Sequence, residues 1–253
     1  MMQLTIRASS AAPSRTRRWL RAAGWMAVAA AGRAAAGYAA NSALTWFRFG
    51  RPAAARPEEA DPLLDRFMPA YEVVERHRAW VSAPADVTFV AAVETDLEAS
   101  ALVRAIITTR AIVLGARREA THQPRGLIAQ MTAIGWAVLA EVPGREIVMG
   151  AATQPWLGDV VFRGIPAAEF AAFNEPGYVK IVWNLRADTA GEFASVFRTE
   201  TRVVATDPRA RARFRWYWAR FSPGIVLIRR MMLRAIKAEA ERRAASRGSA
   251  RPR

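Results

Sequence analysis

The sequence predicts an α+β domain in which an antiparallel sheet packs against a long C-terminal helix. Several runs of alternating or β-branched residues have the length of strands, and two of them are joined by a Pro-Gly pair typical of a hairpin. A long helical run follows Asp207-Pro208, a pair that commonly begins a helix. An alanine-rich stretch near the N-terminus predicts a separate hydrophobic helix ahead of the domain.

The composition excludes several classes of site. The chain has no cysteine, so disulfides, thiolate nucleophiles and cysteine-ligated metal clusters are absent. His77 and His122 are its two histidines, which excludes a metal centre built on several imidazoles. No phosphate-binding loop, dinucleotide fingerprint, G-x-S-x-G elbow or H-E-x-x-H motif occurs. The sequence therefore predicts neither a cofactor nor a metal.

The net charge of +15 is concentrated at the two ends of the chain. Residues 1–56 carry a net +9 and residues 198–253 a net +12, whereas residues 57–197 carry a net −6. Basic ends attract anionic lipid headgroups as well as nucleic-acid phosphates. A third interpretation is that arginine is simply the default polar residue of this chain, because lysine occurs only at Lys180 and Lys237.

Residues 1–49 are predicted to form a basic and hydrophobic segment that anchors or exports the protein. Arginines precede an uncharged run at 22–32, in the order that a signal peptide requires. The stretch 19–47 is long enough to span a bilayer, although Arg33 lies near its middle and costs about 2.5–3.5 kcal/mol there. We expect an uncleaved anchor first, a cleaved signal peptide second and a soluble alanine-rich helix third.

Composition also predicts the remaining boundaries. Residues 50–62 contain four prolines and no hydrophobic period, which is typical of a linker. Residues 63–243 are predicted to form the folded domain. Residues 244–253 lack large apolar side chains and are predicted to be a disordered basic tail.

The first half of the domain predicts a strand followed by two helices. Residues 71–82 are rich in β-branched and aromatic side chains, which favours the strand. Pro84 fits the first turn of the first helix, and the second helix is predicted at 100–110. Residues 112–130 have no clear place in this order. The apolar face of the first helix is predicted to carry Val87, Val90 and Ala91.

The second half predicts antiparallel strands and the long helix. Residues 133–142 and 145–153 flank Pro143-Gly144 and form the predicted hairpin. Ser222-Pro223-Gly224 is expected to interrupt the last helix, because proline removes a helical hydrogen bond. The elements between them are a strand at 159–164, a helix at 166–173, and strands at 178–186 and 193–205.

This order of elements resembles the START-like helix-grip superfamily (SRPBCC), which includes Bet v 1 allergens and polyketide cyclases. Three stretches carry the resemblance, which covers about residues 65–245: VERHRAWVSAPADVTFVAAV at 74–93, GWAVLAEVPGREIVMG at 135–150 and FRTETRVVATDPRARARFRWYW at 197–218. The resemblance implies a curved antiparallel sheet that grips the C-terminal helix, with an apolar cavity between them. It implies no catalytic residue, because the superfamily has no universal one.

Alternation along the last two strands predicts which side chains face that cavity. Trp183 shares a face with other apolar residues of its strand, and an apolar wall with a few hydroxyls is typical of a small-molecule site. A filled core is the alternative interpretation. On the opposite face, Arg198, Glu200 and Arg202 are predicted to be solvated. The candidate ligand-binding residues are Trp136, Trp183, Phe197, Thr199, Thr201 and Tyr217.

The C-terminal helix carries an aromatic stripe that predicts packing on the sheet. Its members are Phe214, Tyr217, Trp218 and Phe221, at helical spacing. Arginines interleaved with aromatics also occur in nucleic-acid-binding proteins, but here the aromatics fall on one face. Trp216 lies off the stripe and is a candidate for a membrane or partner contact.

Acid–base candidates are few. Glu141 and Glu146 flank the predicted hairpin and are interpreted as its exposed ends. His77 has no orienting partner in the sequence, so we interpret it as a surface or packed histidine rather than a general base.

The sequence therefore favours a non-catalytic binder or carrier of a small apolar, lipid-like molecule, tethered to a membrane through residues 19–47. The second hypothesis is an enzyme of cyclase or dehydratase type on the same fold, and the third is a nucleic-acid binder. A cavity with two or more convergent titratable groups would favour the enzyme, and a purely apolar one would favour the binder. The identity of the ligand and the oligomeric state stay open.

Overall fold

The computed structural model describes residues 15–96, 100–116 and 124–249, with side chains described between residues 25 and 247 of those ranges. The predictions for residues 1–14 and 250–253, and part of that for 112–130, lie outside the described residues. The described residues form two compact units, one within residues 1–41 and the other within residues 42–253.

Helix α1, Arg15–Arg48, is the element in which the sequence predicted a membrane anchor. That prediction is not supported, because no helix in the described ranges combines the length and the hydropathy that crossing a bilayer requires. The physical reason is composition. Alanine contributes little transfer free energy, and Arg21 and Arg33 interrupt the apolar run.

Six antiparallel strands form one sheet, and the α+β architecture predicted from the sequence is confirmed. The strand order is β1-β6-β5-β3-β2, and β4 pairs with the end of β3. Gly144 adopts a positive φ of 70° in the β2–β3 turn, which confirms the predicted hairpin. The strands are β1 Val73–Val81, β2 Ala137–Val142, β3 Glu146–Thr153, β4 Phe162–Arg163, β5 Val179–Thr189 and β6 Ser195–Ala205.

The described part of the domain contains five short helices besides the long C-terminal one. Helix α3 begins after Pro84, which is its N-cap rather than its first residue. Its buried face carries Val87 and Phe89, whereas Val90 is exposed, so the predicted face was partly wrong. These helices are α2 Pro62–Asp65, α3 Ala85–Glu94, α4 Ala101–Val113, α5 Leu127–Ala133 and α6 Ala167–Phe170.

The long C-terminal helix α7, Pro208–Ser249, lies across the sheet and completes the helix-grip arrangement. Asp207 caps it as predicted, with its carboxylate accepting from the backbone N–H of Ala210 at 3.0 Å. The expected interruption at 222–224 is wrong, because α7 continues through Pro223. Proline costs a helix about 3 kcal/mol. Trp218 before Pro223 and Leu233 after it are both buried, and the packing of these side chains offsets that cost.

The segment 57–68, here called the strap, covers the face of the sheet opposite α7. It contains a 3₁₀ turn at Pro57–Glu59 and helix α2. Leu64, Phe67 and Met68 of the strap are buried against the sheet. Because these side chains are buried, the strap is held against the sheet. Its residues 57–62 belong to the segment that the sequence predicted to be a linker.

The prediction that Arg198, Glu200 and Arg202 are solvated is wrong, because the strap covers this face of the sheet. Arg202 and Glu200 are buried, with 2% and 6% of their surface exposed, and Arg198 is partly buried. The alternation of residues along β6 correctly placed these three side chains on the face opposite the apolar one. The error lies in equating that face with solvent, because the strap covers it.

Candidate functional site

The two faces of the sheet are named for what covers them. The inner face carries α7 together with α3 and α5, and the outer face carries the strap. Odd-numbered residues of β1, β5 and β6 point to the inner face, where β1 pairs His77 with Thr199 and β5 pairs Trp183 with Thr201. The candidate site lies on the inner face.

A cavity of about 140 Å³ lies between the sheet, α5 and α7. Along α7 it falls between the aromatic residues near Trp218 and the aliphatic residues near Leu233, which pack into two separate core clusters. A cavity of about 150 Å³ with apolar walls accommodates benzene. The lining residues are Leu127, Met131, Trp183, Ile225, Ile228, Arg229 and Met232.

Trp183 forms the sheet side of this cavity. The indole is 5% exposed and meets the ring of Trp136 edge to face, with centroids 6.0 Å apart. Trp136 in turn stacks on Phe162 of β4 at 5.0 Å. Aromatic pairs at these separations hold one another in place. The cavity therefore has a rigid aromatic wall.

Arg229 is the charged member of the lining. It sits on α7 with Ile225, Ile228 and Met232, at spacings of three, four and seven residues that place all four on one helix face. Its Nη1 donates to Thr199 Oγ1 at 3.3 Å. Burial lowers the pKa of Arg229 to about 10, against an opposing attraction from Glu75.

Glu75 and His77 project from β1 beside Arg229. The carboxylate Oε2 of Glu75 lies 3.6 Å from His77 Nε2. Burial first, and then the charges of Arg229 and Arg230, lower the pKa of His77 to about 4. Burial raises the pKa of Glu75, while the same two arginines oppose the rise. The histidine is therefore neutral at pH 7.

Several buried polar atoms of the inner face have no hydrogen-bond partner among the described residues. His77 Nε2 and Thr201 Oγ1 lie on the strands beneath α7, and Ser222 Oγ lies on α7 itself. Native proteins rarely leave such atoms unsatisfied, and water or a ligand normally completes them. The inner face therefore has hydrogen-bonding capacity that the chain does not use.

On the outer face, Asn184 lies at the centre of a network of buried polar groups that pair with one another. Asn184 donates to Asp61 Oδ2 and Glu146 Oε1 at 2.8 Å each, and accepts from the backbone N–H of Glu200 at 2.8 Å. Burial raises the pKa of Glu146 to about 7, and the nearby Asp61 contributes to that rise. Glu146 is thus buried at the start of β3, which corrects its interpretation as an exposed hairpin end.

The predicted site residues fall into three groups. Trp183 lines the cavity, Thr199 binds the Arg229 that lines it, and Thr201 is the strand partner of Trp183. Phe197 is fully buried in the core cluster that contains Trp183, and Trp136 supports Trp183 from behind. These five residues lie on or beside one wall.

Tyr217 belongs to a different part of the inner face. It packs with Phe214 and Trp218 near the start of α7, and its hydroxyl accepts from Arg110 Nε at 3.1 Å. The aromatic stripe is thus buried as core. Trp216 stays largely exposed but contacts the ring of Trp46 at 4.7 Å.

Sequence reasoning missed the polar side of the cavity. Arg229 lies at helical spacing within an otherwise apolar stripe of α7, and that irregularity is a readable signal. Glu75 and His77 lie on the same face of β1 as Val73, Ala79 and Val81, because all five are two residues apart along the strand. They therefore face inward once β1 is known to be covered.

No family model and no curated protein sequence matches the chain. Among solved structures it is similar to a point mutant of norcoclaurine synthase of Thalictrum flavum bound to a transition-state analogue. That match has 10% identity, a TM-score of 0.29, and covers 66% of this chain and 93% of that one.

The chain is also similar to two proteins of the aromatase/cyclase class. The Zhui aromatase/cyclase of Streptomyces sp. R1128 matches at 17% identity and a TM-score of 0.25, covering 68% of this chain and 94% of that one. The di-domain ARO/CYC BexL of the BE-7585A biosynthetic pathway matches at 14% identity and a TM-score of 0.27, covering 67% of this chain and 46% of that one. With TM-scores this low, the helix-grip assignment rests on the chain's own topology.

Proposed function

We propose that the protein binds a small, largely apolar molecule in the cavity between Trp183 and α7. The observation that carries this proposal is an apolar space of about 140 Å³ against a rigid aromatic wall. Mostly apolar lining with one or two placed polar groups is the chemistry of small-molecule sites. The size suits a group of about one aromatic ring.

The energetics of the empty cavity support a binding role. Unfilled space beside a core forfeits packing contacts, so the space against Trp183 costs the fold free energy when it is empty. One larger side chain at Ile228 or Met232 would fill it at little steric cost. A ligand that fills the cavity recovers part of that free energy.

Fluorine NMR of fluorobenzene with the full-length protein tests the proposal. The wild type should broaden the fluorine resonance, and Ile228→Phe, which fills the cavity, should abolish the broadening. Leu227→Phe is the matched control, because Leu227 is the preceding residue of α7 and is 43% exposed. Equal broadening by wild type and Ile228→Phe, or none by the wild type, would refute the binding site.

An enzyme of cyclase or dehydratase type is a second candidate, favoured by the convergence of Glu75 and His77 beside the cavity. Neutral His77 would remove a proton from the carbon next to a carbonyl group. The fraction of Glu75 that carries a proton, which the raised pKa increases, would donate it to a departing hydroxyl, which leaves as water. The histidine would then return its proton to the Glu75 carboxylate, 3.6 Å away, and restore both groups.

The proton-abstraction step can be tested without knowing the substrate. Acetophenone is a one-ring ketone with exchangeable methyl protons, and proton NMR in D₂O follows their loss. Wild-type protein should accelerate this exchange, whereas His77→Gln, which preserves a polar side chain but no base, should not. Equal exchange rates with the two proteins would eliminate His77 as a base.

A further inference from the structure

We propose that the molecule bound in the cavity is an amphipathic acid, with a carboxylate held by Arg229 and a ring-sized apolar body held against Trp183. This inference rests on the proposed binding function and names its ligand class. It follows from Arg229, the one charged residue of the lining, and from the absence of a carboxylate close to it among the described residues.

Arg229 has more hydrogen-bonding capacity than the chain uses. A guanidinium carries five N–H donors, and the structure gives Arg229 a single bond, the 3.3 Å contact with Thr199 Oγ1. Within the described ranges, no carboxylate lies within 4.0 Å of it. Two parallel N–H groups are therefore available for a carboxylate, which guanidinium binds in a bidentate manner.

Charges that leave water are normally paired, because an unpaired one forfeits its hydration. Burial is the largest cause of the lowered Arg229 pKa, so this partly exposed guanidinium has lost part of its hydration without gaining a close counterion. Arg202, on the outer face, shows the usual solution, with carboxylates of Glu200 and Asp65 each at 2.6 Å. The missing counterion of Arg229 is the place of the ligand's acid group.

The other charged groups beside the site agree with a bound anion. Arg230 adds a second positive charge on α7, and Glu75 supplies one negative charge at more than ion-pair distance from Arg229. His77 is neutral at pH 7, because its pKa is lowered to about 4. The net charge facing the cavity is therefore positive, and an anionic group is attracted to it.

The remaining lining defines the body of the ligand. Ile225, Ile228, Met131 and Leu127 enclose the space opposite Trp183, and none of these side chains carries a polar atom other than a thioether. A polar body would lose hydration there without compensation. Benzoate is thus the simplest probe that combines the two required parts, and benzamide is its neutral isostere.

Isothermal titration of the full-length protein with benzoate and benzamide at pH 7 tests the inference. Charge-assisted hydrogen bonds contribute enough that benzoate should bind about tenfold or more tightly than benzamide. Arg229→Met should abolish this preference while benzamide still binds. Arg234→Met is the matched control, because it removes the same charge from an exposed residue of α7 that does not line the cavity, and it should keep the preference.

The outcomes separate the inference from the function on which it rests. Equal affinity of the wild type for benzoate and benzamide would overturn the acid-binding role and leave the apolar site intact. No binding of benzoate, benzamide or fluorobenzene would overturn both. Should Arg229→Met fail to fold, Arg229→Gln provides the same test, and a benzoate preference that survives it would refute the role of Arg229.

Discussion

The two faces of the same sheet each hold an arginine away from bulk water, Arg202 fully and Arg229 in part, and they treat it in opposite ways. On the outer face, Arg202 donates to Glu200, Asp65 and the Met68 carbonyl, at 2.6, 2.6 and 2.8 Å. On the inner face, Arg229 has one hydroxyl at 3.3 Å. Burial alone therefore does not identify a functional charge, whereas burial without partners does.

The partners of Arg202 explain what the outer-face network does. Asp65 and Met68 belong to the strap, and Glu200 belongs to β6, so the guanidinium links the strap to the sheet. Asp61 and Asn184 form a second such link. The outer-face network thus joins the strap to the sheet.

The largest expected effect is on the outer face. Arg202→Met removes a buried cation and leaves the Glu200 carboxylate buried without it, which should lower the free energy of unfolding by about 3–5 kcal/mol. Arg229→Met removes a charge with no close counterion and should change stability by less than about 1 kcal/mol. Urea unfolding of the two variants measures both. Losses of equal size would mean that Arg229 is paired as well as Arg202.

The pH dependence of stability should have opposite signs on the two faces. Glu146 has a folded-state pKa raised from 4.5 to about 7, so the folded protein holds a proton that the unfolded chain loses between those values. Stability from this group therefore falls as pH rises from 4.5 to 7. His77 has a pKa lowered from 6.5 to about 4, so the unfolded chain holds the extra proton and stability rises between pH 4 and 6.5.

The two contributions have opposite signs over overlapping pH ranges, so they oppose each other in the wild type. Thermal unfolding between pH 4.5 and 6.5 should therefore change less for the wild type than for either single variant. Glu146→Gln should become more stable with rising pH, and His77→Gln should become less stable. A variant pair with parallel profiles would contradict the assigned burial of one of these groups.

Local sequence signals account for most of the fold that was predicted. The Pro-Gly turn and the Asp207 cap each depend on a few neighbouring residues, so their chemistry is visible in the sequence. Proline at 223 is a local signal that tertiary packing overrides. Alternation likewise separated the two faces of β6 correctly, with Thr199 and Arg202 on opposite sides.

Alternation along a strand does not reveal which segment of the chain packs on each face of the sheet. The strap lies more than 100 residues from β5 and β6, as the contact between Asp61 and Asn184 shows. A proline-rich sequence gives no indication of such a contact. For the same reason the sequence placed Trp183 on a wall but not Arg229 opposite it, because their apposition depends on how α7 crosses the sheet.

The smallest expected effect on stability is at two buried threonine hydroxyls, one that makes a hydrogen bond and one that does not. Thr153 Oγ1 donates to the Val161 carbonyl at 2.8 Å, whereas Thr201 Oγ1 is buried without a partner among the described residues. Thr153→Val should lower the free energy of unfolding by about 1 kcal/mol, because a made hydrogen bond is lost. Thr201→Val should be neutral or slightly stabilising, because it removes an unsatisfied group at constant shape.

Urea unfolding of this pair, at one pH and without added ligand, resolves a difference of that size, since midpoints are compared between variants of equal slope. The same Thr201→Val substitution should weaken benzoate if that hydroxyl completes its hydrogen bonds in the complex. Equal losses of stability for both threonines would show that Thr201 is already satisfied in the free protein. The carboxylate site would then rest on Arg229 alone.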